Sequence, residues 1–143
     1  MLAITYHGPK DVRVETVADP TPQDLAAAVV KVKACGICGS DLHIYDGHGF
    51  STDIGFCVGH ESVGEVIEVG SAVSSFSVGD RVLVPGSTGC NTCRQCRQGS
   101  VFSCENGNAD VYGLSHRLQG SQAEAVAVPF ADSNLSHIPE AVS

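Results

Sequence analysis

The sequence predicts a mainly β domain, arranged as a barrel or a sandwich. Short stretches alternate apolar and polar residues, which is the pattern of half-buried strands. The 16 glycines punctuate these stretches, and Gly70-Ser71 and Gly79-Asp80 are turn signals. Many short strands with frequent turns are typical of barrels and sandwiches, whereas an α/β sheet would alternate strands with long helices. At 143 residues the chain is long enough for one domain with its own core.

The predicted strands follow one another along the chain. Val12 and Val14 alternate with Arg13 and Glu15, which predicts a half-buried strand. In the next segment, alanine and valine at positions 28, 30, 32 and 34 alternate with Val29, Lys31 and Lys33. Further strands are predicted at 63–69, 81–84 and 123–128, the last of which ends at Pro129.

One convincing helix start lies between the second and third of these strands. Ser40 is a suitable N-cap residue, and the segment continues through Leu42 and Tyr45 toward Gly47. We therefore expect a short helix in this region.

A cluster of four cysteines with the spacing C-x2-C-x2-C-x7-C is formed by Cys90, Cys93, Cys96 and Cys104. Four thiolates can surround one tetrahedral metal ion and leave no open position, which is typical of a structural zinc site. The loop around them, from Gly86 to Asn108, contains almost no apolar side chains, so metal ligation would be its main source of order. The sequence therefore favours a structural zinc in this loop.

Other states of these cysteines are a disulfide pair, an iron–sulfur cluster or unligated thiols. A bacterial ferredoxin motif places three residues before its fourth cysteine and a proline after it. Here seven residues precede the fourth cysteine, and Glu105 follows it.

A second group of possible metal ligands lies upstream. Cys38 belongs to the stretch CGICGSDLH at 35–43, and His60 follows about twenty residues later in Gly-His-Glu. A thiolate and a neutral imidazole are both zinc ligands, and a catalytic zinc site keeps one position open. Each half alone is a weak signal, because a C-x-x-C pair can be a redox motif and a lone histidine is often structural. Together they predict a second, open metal site.

Composition and charge exclude several classes of function. The net charge is −8 with scattered lysine and arginine, which argues against a nucleic acid or an anionic membrane as partner. The longest uncharged apolar stretch, Leu25 to Val30, is too short to span a bilayer. An odd count of 7 cysteines, with no secretory signal before them, argues against a secreted disulfide scaffold. We therefore expect a reducing, cytoplasmic location.

With these motifs the chain closely resembles the N-terminal, GroES-like domain of the zinc-dependent medium-chain alcohol dehydrogenases. The resemblance covers nearly all 143 residues. It rests on CGICGSD at 35–41, GHESVGEV at 59–66, GDRV at 79–82 and the cysteine cluster that follows them. It implies a partly open β-barrel with short helices and a zinc-binding lobe at about 86–108, together with one structural and one catalytic zinc.

The resemblance also implies roles at the second metal site. Cys38 and His60 correspond to two ligands of the catalytic zinc, and Glu61 to a carboxylate that approaches or joins the metal in some members. Asp41 corresponds to the acid that holds the ligating histidine and sets its tautomer.

Two further residues correspond to a proton relay. Ser40 matches the hydroxyl that contacts the substrate oxygen, and His43 lies where some members place the last relay histidine. Their alternatives are a plain helix cap for Ser40 and an exposed surface histidine for His43. The activity implied is oxidation of an alcohol or polyol to an aldehyde or ketone, by hydride transfer to NAD or NADP.

The chain departs from the family at several points. Gly39 stands where some members carry a polar side chain near the cofactor phosphates. G-x-G-x-x-G does not occur in the sequence, and no βαβ pattern surrounds such a motif. We therefore expect the cofactor-binding domain and the third catalytic ligand, a cysteine or carboxylate in relatives, to lie beyond Ser143. Cys35 and Cys57 remain as small buried hydrophobic residues.

These departures lead to expectations for the whole protein. The 143-residue chain alone is expected to be inactive, and the full-length enzyme is expected to be a homodimer or homotetramer. One alternative function is a stand-alone, non-catalytic zinc-binding GroES-like interaction module. Another is a threonine, polyol or formaldehyde dehydrogenase of the same superfamily.

Overall fold

The computed structural model describes residues 1–49, 51–106 and 110–142. Its eight strands are β1 Leu2–Gly8, β2 Asp11–Thr16, β3 Ala28–Cys35, β4 Phe56–Cys57, β5 Ser62–Val69, β6 Arg81–Val84, β7 Ala125–Val128 and β8 Ser136–His137. The helices in these ranges are α1 Gly39–Tyr45, α2 Arg94–Arg97 and α3 Ala131–Asn134, with a 3-10 turn at Val101–Ser103. The predicted mainly β class is confirmed.

The strands form two sheets in which every pairing is antiparallel. One sheet has three strands in the order β2-β1-β4, and the other has five in the order β7-β3-β5-β6-β8. The two sheets meet where Ala3 of β1 forms an isolated bridge with Ala123, and where the Ile4 amide donates to the Gln122 carbonyl at 2.8 Å. The arrangement is an open barrel, as the GroES-like resemblance implied.

Two apolar clusters hold this frame together. The larger one is built on the five-stranded sheet and includes Val30, Val66, Val82 and Tyr112, all fully buried. The smaller one joins Tyr6 and Phe56 of the first sheet to Val58 and to Ile44, which is the buried residue of α1. Ile44 therefore fixes the short helix that carries Cys38 at its start.

The predicted strands at 12–15, 28–34, 63–69, 81–84 and 123–128 correspond to β2, β3, β5, β6 and β7. The expected half-burial of Val12 and Val14 is wrong, because these side chains are 42% and 69% exposed. β2 is an edge strand of its sheet, and its only partly buried Glu15 carboxylate accepts a hydrogen bond from the Thr5 hydroxyl. Among the helices described above, none has the length and apolar character needed to cross a bilayer.

Close backbone contacts place the segment that precedes His60. The Gly120 amide donates to the Cys57 carbonyl at 2.7 Å, and the Ser121 amide donates to the Gly59 carbonyl at 3.0 Å. A Cβ atom at Gly120 would lie 2.5 Å from the Cys57 carbonyl oxygen and closer still to the Val58 carbonyl group. Only glycine fits at this crossing without moving the main chain.

Replacing Gly120 with alanine is therefore expected to destabilise the fold by at least about 1–3 kcal/mol, the usual cost of overpacking. The urea unfolding midpoint measures this loss. Gly49→Ala is the matched control, because a Cβ there would meet only the Ser51 carbonyl oxygen at an ordinary 3.6 Å. Equal midpoints for the two variants would contradict the close approach at Gly120.

Candidate metal centres

The start of α1 arranges the first candidate centre. Cys38 has an extended backbone and serves as the N-cap, with its sulfur accepting from the Ser40 amide at 3.4 Å. Asp41 completes a capping box, since its Oδ2 accepts from the Cys38 amide at 2.8 Å. The prediction that Ser40 caps this helix is therefore wrong, because Cys38 takes the cap position and Ser40 lies inside the first turn.

The structure brings Cys38, Asp41 and His60 together, with one potential ligand atom of each within 4.8 Å of the others. Cys38 Sγ lies 3.1 Å from His60 Nε2, and Asp41 Oδ1 lies 3.8 Å from His60 Nδ1. The side chains of His60 and Asp41 are only 11% and 9% exposed. Asp41 Oδ1 and His60 Nδ1 are both buried without a hydrogen-bond partner.

These contacts fit a metal-binding histidine. Ligating histidines usually present one ring nitrogen to the metal and direct the other toward a carboxylate or carbonyl. Here Nε2 of His60 faces the Cys38 sulfur and Nδ1 faces the Asp41 carboxylate. Cys38 Sγ and His60 Nε2 are thus arranged as two ligands of a partial zinc site. The unpartnered Asp41 Oδ1 and His60 Nδ1 lie behind the ring, where they can orient it.

Glu61 lies next to this group but outside the set of atoms within 4.8 Å. The Gly36 amide donates to the Glu61 carbonyl at 2.7 Å, which ties the end of β3 to the start of β5. A Cβ at Gly36 would lie 2.6 Å from Glu61 Oε2, so the carboxylate rests against the Gly36 backbone.

The two residues predicted for proton transfer lie on α1. Ser40 is half-buried, and His43 is exposed with its ring centroid 6.5 Å from that of His48. A cleft of about 290 Å³ is lined by His60, Glu61 and neighbouring residues of β5 and β6. Larger hollows of about 420 and 430 Å³ lie elsewhere on the domain and contain neither Cys38 nor His60.

The second candidate centre contains Cys90, Cys93, Cys96 and Cys104, whose sulfur atoms all lie within 4.8 Å of one another. Cys90 Sγ and Cys96 Sγ are 4.0 Å apart. Sulfurs around a tetrahedral zinc at about 2.3 Å would be separated by about 3.8 Å, whereas a disulfide bond is about 2.05 Å long. The spacing therefore fits a four-thiolate metal site and not a disulfide.

Hydrogen bonds surround the first thiol of this cluster. Cys90 Sγ accepts from the Thr92 hydroxyl at 3.3 Å, from the Asn106 side-chain amide at 3.1 Å and from the Cys93 main-chain amide at 3.4 Å. The Thr92 hydroxyl, followed by the backbone amides, lowers the pKa of Cys90, while burial raises the pKa of Cys96. Donors that stabilise a thiolate favour metal binding, since the deprotonated sulfur is the ligand.

Thr92 and Asn106 were missed as functional residues by the sequence analysis. Their only signal was the presence of polar side chains within the cysteine loop.

The two ends of the cysteine loop are hydrogen-bonded to each other where the loop joins the barrel. The Thr88 amide donates to the Asp110 carbonyl at 2.9 Å, and the Tyr112 amide donates to the Gly86 carbonyl at 3.1 Å. Cys90, Cys96 and Cys104 then form a small buried cluster separate from the two apolar cores. The last two residues of the lobe predicted at 86–108 lie outside the described residues.

The two cysteines left outside both centres differ in environment. Cys57 is buried, as expected, and burial raises its pKa. Cys35 is only half-buried, and its sulfur lies 3.4 Å from the Ser121 hydroxyl.

Comparison with known proteins identifies relatives across the whole chain. Residues 25–140 match the alcohol dehydrogenase GroES-like domain. The chain is 42% identical over 142 residues to zinc-type alcohol dehydrogenase B of Aspergillus flavus, covering 99% of this chain and 32% of that protein. It aligns with alcohol dehydrogenase TADH from Thermus sp. ATN1 at a TM-score of 0.93 and 39% identity, covering 100% of this chain and 41% of that one.

A further structural relative has a cofactor bound. It is the short chain alcohol dehydrogenase (rspB) of E. coli CFT073, complexed with NADH, with a TM-score of 0.81 and 35% identity over 100% of this chain and 40% of that one. The present chain spans 32–48% of the length of the first curated relatives. The match over residues 25–140 and the close structural agreement show that the chain belongs to the family of zinc-type alcohol dehydrogenases, as their GroES-like domain.

Proposed function

We propose that this chain is the zinc- and alcohol-binding domain of a nicotinamide-dependent alcohol dehydrogenase that oxidises an alcohol or polyol to an aldehyde or ketone. The observation that carries the proposal is the 3.1 Å approach of Cys38 Sγ to His60 Nε2, with the Asp41 carboxylate behind the ring. Family membership supports the same activity.

Two zinc ions are part of the proposal. The structural zinc is held by Cys90, Cys93, Cys96 and Cys104, whose sulfurs all lie within 4.8 Å of one another. The catalytic zinc is held by Cys38 and His60, with Glu61 beside them and a third protein ligand supplied by sequence outside these 143 residues. In such a site zinc supplies Lewis acidity toward an alcohol oxygen, and NAD or NADP supplies the hydride acceptor.

Residues of this chain would orient the site and move the proton. Asp41 is held by the Cys38 amide, so it can keep the His60 ring in one tautomer and orientation. Ser40 is half-buried one position before Asp41, where its hydroxyl can accept the alcohol proton as it donates its own proton onward. His43 is exposed on the same helix and can pass that proton to water.

The nicotinamide cofactor would be held by another part of the protein. The sequence has no glycine-rich turn at a helix N-terminus of the kind that binds a dinucleotide pyrophosphate. The apolar side chains of Ile37 and Leu42, which flank Cys38, are exposed and could be covered by that part. The cofactor-bound relative, of which this chain matches 40%, supports this division of roles.

We propose that the longer enzyme is a homodimer or homotetramer.

A non-catalytic zinc-binding module is the less favoured alternative. Such a module needs the four-cysteine centre only. It has no use for the half-buried Cys38, Asp41 and His60, whose donor atoms converge at a second place in the fold.

The first test of the proposal compares two lengths of the protein. The 143-residue chain, loaded with zinc, is expected to show no alcohol-dependent reduction of NAD or NADP, because a cofactor in free solution lacks the proximity that accelerates hydride transfer. A protein extended by the coding sequence downstream is expected to be active on small alcohols or polyols.

In the extended protein His43→Ala is expected to lower kcat modestly, since water can take over part of a proton relay. Absorbance of the reduced nicotinamide at increasing alcohol concentrations measures turnover by the 143-residue chain, by the extended protein and by its His43→Ala variant. Robust turnover by the 143-residue chain, or an inactive extended protein with both zinc ions bound, would refute the proposal.

A further inference from the structure

Asn134, the last residue of α3, connects the barrel to the cysteine cluster. Its side chain is buried, with only 5% of the residue exposed. Asn134 Oδ1 accepts from the Gly89 amide at 3.0 Å, and Nδ2 donates to the Gly89 carbonyl at 2.9 Å and to the Pro129 carbonyl at 2.8 Å. One side-chain amide thus pairs with both main-chain polar groups of Gly89, as a neighbouring strand would.

Gly89 is a sensitive point for the metal centre. It directly precedes Cys90 and is itself buried, so its amide and carbonyl need internal partners. A Cβ at Gly89 would lie 3.0 Å from Cys96 Sγ and 3.1 Å from a methyl carbon of Val101. The main chain at this position therefore lies directly against the sulfur cluster, and a shift of Gly89 would displace the Cys90 sulfur relative to Cys96.

The element that carries Asn134 is firmly attached to the barrel. Ala131 is fully buried in the main core, and its amide donates to the Ala26 carbonyl at 2.7 Å. Leu135, the residue after Asn134, belongs to the same core. Phe130, just before α3, packs against the cysteine cluster itself. The short helix thus contacts the barrel core on one side and the cluster on the other.

We propose that Asn134 is a positioning residue for the four-cysteine zinc site. It holds Gly89 in place before the metal binds, so that the Cys90 sulfur is presented at a fixed distance from the other thiolates. Metal affinity depends on such preorganisation, because residues that orient ligands typically change it by about 10–100-fold. This inference rests on the proposed zinc site in the cysteine cluster.

The test measures zinc release and hydrogen exchange in the 143-residue chain. In Asn134→Leu, which keeps the side-chain size and removes all three hydrogen bonds, transfer of the cluster zinc to a chromophoric chelator is expected to be about 10–100-fold faster. Amides at Gly89, Cys93 and Cys96 are expected to exchange faster, while those of β3 and β5 change little. The cobalt-substituted variant should show a weaker or shifted thiolate charge-transfer band.

Asp132→Leu is the matched control on the same short helix. The Asp132 carboxylate accepts hydrogen bonds from the Ser74 amide and hydroxyl and from the Ser75 amide, away from the cluster. Its replacement should leave zinc release unchanged. Asn134→Ser provides the same comparison if Asn134→Leu does not fold.

The outcomes separate this inference from the zinc proposal. Zinc release within twofold of the unmodified chain in both Asn134 variants, or equal acceleration by Asp132→Leu, would overturn the positioning role. Failure of both Asn134 variants to fold would also overturn it, since Asn134 would then sustain the barrel itself. An unmodified chain that holds no zinc at the cluster would instead overturn the zinc site.

Discussion

Replacing Cys96 with serine is expected to release the structural zinc and unfold the cysteine lobe, while the barrel remains folded. Cys96 is buried in the cluster, and the cluster consists of the four cysteines with Phe130 packed against them. Metal binding supplies about 10–16 kcal/mol to structural zinc sites of small domains, and this lobe has little apolar surface to replace it. The main core contains none of the four cysteines, so its packing does not depend on the metal.

Elemental analysis for zinc and amide hydrogen exchange along the chain measure the two effects of this change. Cys57→Ser is the matched control, because Cys57 is an equally buried cysteine outside both metal centres. It should lower barrel stability and leave the zinc in place, which is the opposite pattern. Zinc retained by Cys96→Ser with unchanged resistance to a chelator, or two disulfides in the unmodified protein, would show that the cluster is not a zinc site.

The second large effect is expected in the extended enzyme, where Cys38→Ser or His60→Ala should abolish turnover. In the proposed site each change removes a ligand of the catalytic zinc, and Lewis-acid catalysis contributes several kcal/mol to the transition state. Since each 1.36 kcal/mol corresponds to a factor of ten, kcat/KM should fall by at least about 10²–10³-fold. Steady-state kinetics together with zinc content measure the loss, and one zinc should remain at the four-cysteine site.

Two further variants sharpen this prediction. Asp41→Asn keeps an oxygen that can accept from the Cys38 amide but removes the charge facing His60, so a smaller loss of about 10–100-fold is expected. Cys35→Ser changes a neighbouring cysteine outside the ligand group and should leave kcat near that of the unmodified enzyme. Normal activity of Cys38→Ser would remove the catalytic-zinc assignment.

Strand prediction succeeded where the alternation of apolar and polar residues was long. It failed where the strand is very short or where its position in the sheet decides the burial. β3 and β5 each have eight residues and are paired along their length, so their pattern is visible in the sequence. β4 and β8 have two residues each, which is too short for any periodicity. β1 was also missed, since no strand was predicted before Val12. Exposure of Val12 and Val14 depends on the edge position of β2, which is a property of the sheet and not of the strand.

The cysteine spacing by itself determined the four-cysteine cluster, because its members are close in sequence and a short loop must bring them together. Family motifs indicated Cys38 and His60, but only the tertiary structure places these residues, 22 positions apart, at 3.1 Å from each other. Gly120 also crosses the segment before His60 at a distance that only glycine allows, and nothing local predicts that crossing. In the same way, Asn134 and Gly89 are 45 positions apart, and their pairing exists only because the barrel core anchors α3 beside the lobe. Local spacing thus specifies which atoms can bind a metal, whereas long-range packing decides how firmly they are held.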